Sequence, residues 1–256
     1  MTKKIVYEQP LNERIRTFLR LEFLFSQAAH HLRETSTWSS RATLASLLEI
    51  LSIFGRSDLK TEVLKELERH LASLGRLETN PDIDMSRLKD VLAQLRQLNA
   101  RLHELDGPVA ADLKTNEFLT GIQQRSAIPG GTCDFDLPAY HHWLQQPAKQ
   151  RTRDLAAWLG RFETVANAIQ LILQLIRDSA VPQRVTAETG FFQKTLDPNL
   201  PCQMVRVLTS PKLPYFAEIS GGRHRFTVRF MTYSETDGHA HQATQDIPFE
   251  LACCII

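Results

Sequence analysis

Long apolar runs are missing from this chain. No stretch of the 256 residues reaches the ~18–20 consecutive apolar positions that a bilayer-spanning helix needs. The opening segment, Met1-Thr-Lys-Lys-Ile-Val-Tyr-Glu-Gln-Pro10, holds no apolar run of signal-peptide length. Cysteine is scarce too: Cys133, Cys202, Cys253 and Cys254 are the only four. Two of them are adjacent and none forms a Cys-x-x-Cys pair, so reduced thiols in a reducing cytosol are expected. Gly-x-Gly-x-x-Gly, Gly-x4-Gly-Lys and Gly-x-Ser-x-Gly are all absent, which removes the common nucleotide-cradling loops and the nucleophile elbow. Charge of one sign is not in excess either. Lys and Arg number 30 against 29 Asp and Glu, for a net charge of +1. Such balance argues against a surface that grips nucleic acid all over, while leaving room for a local basic patch.

The composition that remains is ordinary for a folded protein, with 43% hydrophobic and 23% charged residues. The length allows one large domain or two modest ones with a buried core. Residues 4–8 read as a short strand. Helical periodicity follows over about 12–31, 41–54, 59–74 and 86–102, with Ser40 as a candidate N-cap for the second of these. Asn80-Pro81-Asp82 and Gly107-Pro108 read as turns. An irregular link covers 126–137, with a short strand expected at 132–135. Pro138 then suits the first turn of a helix carrying Tyr140, His141, His142 and Trp143. One long helix is expected over 153–178. After Pro182 the pattern becomes short strands at about 190–192, 203–208, 215–220, 223–233 and 247–256. The expected class is therefore α+β: a multi-helix bundle over 11–181, then a mostly antiparallel β domain over 182–256 that residues 1–10 join.

Charge is concentrated in Phe216-Ala-Glu-Ile-Ser-Gly-Gly-Arg-His-Arg-Phe-Thr-Val-Arg-Phe-Met231. Gly221-Gly222 between two alternating runs is a two-residue hairpin signal, which would set Ser220 opposite Arg223 and Glu218 opposite Arg225. Alternation then puts Ala217, Ile219, His224, Phe226, Val228 and Phe230 on the core side. Arg223, Arg225, Thr227 and Arg229 fall on the other side, ~6–7 Å between neighbours. Three arginines without interleaved acids suit an anionic partner, because a guanidinium binds a carboxylate or phosphate through two parallel bonds. A solvated outer sheet face is the bland alternative. A nucleic-acid-binding face on Arg223–Arg229 is the other alternative, since basic and aromatic residues alternate there. Alternation, however, puts Phe226 and Phe230 opposite the arginines, where they could not stack on bases.

Other chemistry is less well supported. His141 and His142 near Cys133 and Asp136 hold the residue types of a nucleophile with its base, but adjacent histidines on a helix point in different directions. His239 and His241 with the terminal cysteines hold zinc-ligand types, in a Gly-His-Ala-His-Gln stretch that reads as a polar loop. No catalytic residue, cofactor or metal is expected.

Several blocks resemble the ZapD family of Z-ring-associated division proteins. They are Tyr7-Glu-Gln-Pro-Leu-Asn-Glu-Arg-Ile-Arg-Thr-Phe-Leu-Arg20-Leu-Glu-Phe-Leu, Lys60-Thr-Glu-Val-Leu-Lys-Glu-Leu-Glu-Arg69, Ile128-Pro-Gly-Gly-Thr-Cys-Asp-Phe-Asp-Leu-Pro138, Ile219-Ser-Gly-Gly-Arg-His-Arg-Phe-Thr-Val-Arg-Phe-Met231 and Phe249-Glu-Leu-Ala-Cys-Cys254. They run in order along the whole chain. The resemblance implies a cytoplasmic homodimer at mid-cell that is not an enzyme. It implies a basic pocket for the C-terminal tail of the tubulin-like GTPase FtsZ, and crosslinking of FtsZ filaments into bundles that stabilise the Z-ring. It implies no nucleic-acid or membrane partner. The family's binding positions correspond to Arg20, Arg56, His141, Arg225 and Arg229, and Arg223 joins them from the hairpin reading. A further family arginine falls near Glu117 here, with Lys114 as the candidate replacement.

Overall fold

The computed structural model describes residues 4–56, 58–79, 84–234 and 238–255. Along the chain, β1 (Ile5–Pro10) leads into α1 (Glu13–Leu32), α2 (Thr37–Arg56), α3 (Leu59–Gly75), a 3₁₀ turn at Arg76–Thr79, and α4 (Met85–Glu104). Then come α5 (Ala111–Lys114), α6 (Glu117–Ser126), α7 (Pro138–Leu144), α8 (Ala148–Gly160) and α9 (Glu163–Asp178). The strands β2 (Gln183–Ala187), β3 (Phe191–Thr195), β4 (Cys202–Thr209), β5 (Phe216–Gly221), β6 (Arg225–Tyr233), β7 (Ala240–Gln242) and β8 (Ile247–Ile255) complete it. Helices first, antiparallel strands last and the N-terminal strand in the sheet make this an α+β chain. It divides into two compact units, 19–172 and 1–18 with 173–256, so the division falls inside α1 and α9. No helix among the described residues is long and apolar enough to cross a membrane.

Short polar side chains start the helices. The Asn12 carboxamide oxygen accepts from Ile15 N at 2.9 Å, and Asp84 and Asn116 cap α4 and α6 in the same manner. The cap of α2 is Ser36, whose hydroxyl accepts from Ser39 N at 2.9 Å, and not Ser40. The Ser40 hydroxyl is buried and taken by Arg151 Nε at 3.1 Å. The helix expected over 153–178 is broken. Gly160 ends α8, and helical glycine is worth about 1 kcal/mol less than alanine. The turn lets Phe162 bury completely, 5.1 Å from the Phe54 ring and 6.2 Å from that of Phe25. No strand forms at 132–135, because the backbone there closes successive turns, Gly131 N to Ile128 O at 2.9 Å and Cys133 N to Gly130 O at 3.0 Å. The turn expected at Asn80–Asp82 lies outside the described residues.

In the strand-bearing unit one sheet runs β1-β4-β8-β2 and the other β3-β6-β5, with β7 also pairing β6; every pairing is antiparallel. Their inner faces share one core of Val205, Val207, Phe226, Val228, Phe230, Phe249 and neighbours. Phe249 of the first sheet stands 5.2 Å from Phe230 and 5.5 Å from Phe192 of the second, ring to ring. An ion-pair network fixes β1. Glu8 takes Arg177 at 2.8 Å and Arg206 at 3.0 Å. Burial would raise the Glu8 carboxyl, but those two guanidiniums outweigh it and hold it below its ordinary value.

Candidate functional site

The hairpin is built from β5 and β6, and its register differs from the expected one. Gly221 pairs with Phe226 and Glu218 with Arg229, so the turn is Arg223-His224 and both glycines precede it. Gly221 is a close-approach glycine. A Cβ there would lie 2.6 Å from Phe226 Cβ and 3.2 Å from Leu11 Cδ2. The slip is an even number of residues, so the faces survive it. Phe226, Val228 and Phe230 are fully buried, whereas Arg225 and Arg229 are exposed on the outer face with Thr227 between them. Two expectations change. Arg223 and His224 leave the ladder for the exposed turn, and His224 is not on the core side. The outer face thus holds two strand arginines about 13 Å apart rather than three in close file.

Glu218 stands across from Arg229 and Thr195 across from Arg225. Neither Arg225 nor Arg229 makes an ion pair or side-chain hydrogen bond among the described residues. Phe191 of β3, half-buried and opposite Arg229, adds an apolar neighbour that the sequence pattern of β6 alone could not show.

The helical unit carries the other expected residues. Arg20 is exposed on α1, one turn beyond Arg16, which pairs with Glu13 at 3.1 Å. Arg56 closes α2 and is exposed. It lines a hollow of about 320 Å³ with Lys114, Ser52, Thr120 and Gln123, and a larger one of about 650 Å³ that Lys114 shares. Lys114 donates to Phe54 O at the end of α2 at 3.4 Å. Glu117 is at the first turn of α6, where an acid complements the helix dipole.

His141 lies on α7, which Pro138 starts at its first turn. Its Nδ1 is 3.0 Å from Asp134, while Cys133 Sγ donates to Asp136 at 3.4 Å, so thiol and imidazole have separate partners. His141 lines a hollow of about 480 Å³ with Trp38, Arg41, Thr132, Cys133 and Asp134. Arg41 and Trp38 stand out only once the chain is folded. Their i,i+3 spacing at the start of α2 was the available signal.

A family model described as the ZapD cell division protein matches residues 19–229. The chain belongs to the ZapD family. It is 45% identical over 256 residues to the cell division protein ZapD of Methylococcus capsulatus, covering 100% of both chains. It is 37% identical over 253 residues to that of Coxiella burnetii, covering 98% of each. With that of Aromatoleum aromaticum it shares 38% over 250 residues, 98% of this chain and 97% of the relative. ZapD membership assigns the chain to cell division.

Proposed function

We propose that this chain binds the acidic C-terminal tail of FtsZ and, as a cytoplasmic homodimer at mid-cell, crosslinks FtsZ filaments into bundles that stabilise the Z-ring. It performs no chemistry of its own. The observation that carries this reading is the pair Arg225 and Arg229: two exposed guanidiniums on the middle strand of a sheet, without a carboxylate partner among the described residues. A guanidinium is a ready receptor for a carboxylate, since its planar fork makes two parallel charge-assisted hydrogen bonds to it. Arg223 in the turn supplies a further cation beside this pair; on the helical unit Arg20, Arg56 and His141 are further tail-binding positions, and Lys114 beside Arg56 supplies the charge that Glu117 does not.

A flexible tail loses conformational freedom when it docks, so one site binds weakly, at about micromolar Kd or above. Two sites on one dimer overcome this on a filament that displays many tails, because the second contact is made at high effective concentration. The expected result is that Arg225→Glu abolishes FtsZ bundling in a low-speed pelleting assay while the melting temperature stays within about 2 °C of wild type. Equal bundling by the two proteins contradicts the proposal.

A further inference from the structure

The hollow beside α7 already contains a carboxylate placed against an arginine and a histidine. Asp134 Oδ1 lies 3.0 Å from His141 Nδ1 and 3.5 Å from Arg41 Nη2. Arg41 is held from several sides. Its Nη1 donates to Thr132 O at 3.1 Å, and its guanidinium carbon stands 4.9 Å from the Tyr140 ring centre and 5.6 Å from that of Trp38. A guanidinium fixed against two aromatic rings keeps its N–H edge aimed in one direction, which is the geometry of a prepared carboxylate receptor. The occupant, by contrast, is loosely placed. The Asp134 side chain is 62% exposed, against 24% for Arg41. It sits in the run of turns after Gly130, whose φ of +72° is a left-handed conformation that glycine adopts freely. Trp38 is 77% exposed and lines the same hollow of about 480 Å³. An indole that open on a surface offers an apolar face to a ligand that docks in the hollow.

We infer that Arg41 and His141 form a docking point for a carboxylate of an acidic peptide that also carries apolar residues, with Trp38 as its apolar wall and Asp134 as the internal carboxylate that holds the point in the free protein. Resting on the tail-binding reading above, this names the place where one acidic group and one apolar group of that tail bind. Docking exchanges one carboxylate for another. The released Asp134 returns to water at little cost because it is already mostly solvated, and the incoming group gains the prepared Arg41 edge. Asp134 therefore competes with the ligand and repels it, so neutralising Asp134 tightens binding. A residue that merely positioned His141 for the ligand would act in the opposite direction.

The test is fluorescence anisotropy of a labelled synthetic FtsZ tail peptide against the full-length wild type, Asp134→Asn and Trp38→Ala. The expected outcome is a roughly five- to tenfold lower Kd for Asp134→Asn, the worth of one competing charge-assisted contact at a partly exposed site. Trp38→Ala is expected to raise Kd about tenfold with an unchanged melting temperature, because that ring is mostly in solvent. If wild type binds and Asp134→Asn binds equally or more weakly, the inference is overturned while the tail reading stands. If Trp38→Ala binds as wild type does, the apolar wall is overturned. If neither wild type nor Asp134→Asn binds the peptide, both the inference and the tail reading fail.

Discussion

His70 is a residue whose charge state is strongly constrained by the fold. It is fully buried on α3, and its two ring nitrogens have no hydrogen-bond partner among the described residues. Burial, helped by the Arg69 charge, pulls the imidazole down to about 4, although Glu66 at 3.9 Å acts the other way. Below pH 6.5 the unfolded chain gains a proton on His70 that the folded chain refuses, so this group favours unfolding progressively as pH falls from 6.5 toward 4. The loss approaches about 3 kcal/mol at the acid end. Replacing the ring with a similar apolar group leaves nothing buried and unpaired. His70→Leu is accordingly expected to match or exceed wild-type stability at pH 7 and to flatten the decline between pH 6.5 and 4, as read by urea melts across that range. A wild-type decline of undiminished slope in the variant contradicts this.

At the scale of elements, the β5–β6 hairpin separates two roles that glycine can play. Gly221 is in the strand because a side chain has no room beside Phe226 and Leu11, whereas a Cβ on Gly222 meets nothing within 4 Å. Gly221→Ala is expected to cost about 1–3 kcal/mol and Gly222→Ala less than about 0.5 kcal/mol. Thermal melts of the two variants measure the contrast, and equal melting temperatures would refute the close-approach assignment. The same pair explains what could be read in advance. Two glycines between alternating runs signalled a hairpin but located its turn wrongly, since a tertiary close approach leaves the same letter in the sequence as a tight turn. The outward placement of Arg225 and Arg229 was nevertheless legible, because strand alternation is unchanged by an even slip. The Gly160–Glu163 break between α8 and α9 was not legible, as the apolar stripe runs through it and only the burial of Phe162 demands the bend. Nor could Asp134 be linked to Arg41 and His141, which lie on three separate segments and meet only in the folded chain.

For the whole molecule, α-then-β order followed from hydrophobic period, the N-terminal strand returns to the sheet as expected, and family membership supplied the assignment to cell division. The proposed bundling depends on valence as well as on charge. Sedimentation velocity at micromolar concentration is expected to give a dimer, and a clean monomer would remove the avidity on which crosslinking rests. The most direct measurement is calorimetric titration of the wild-type protein with the isolated FtsZ tail peptide, alongside a peptide whose acidic residues are changed to their amides. The account predicts saturable binding near micromolar Kd for the acidic peptide and at least about tenfold weaker binding for the neutral one. Equal affinity for both peptides would contradict it.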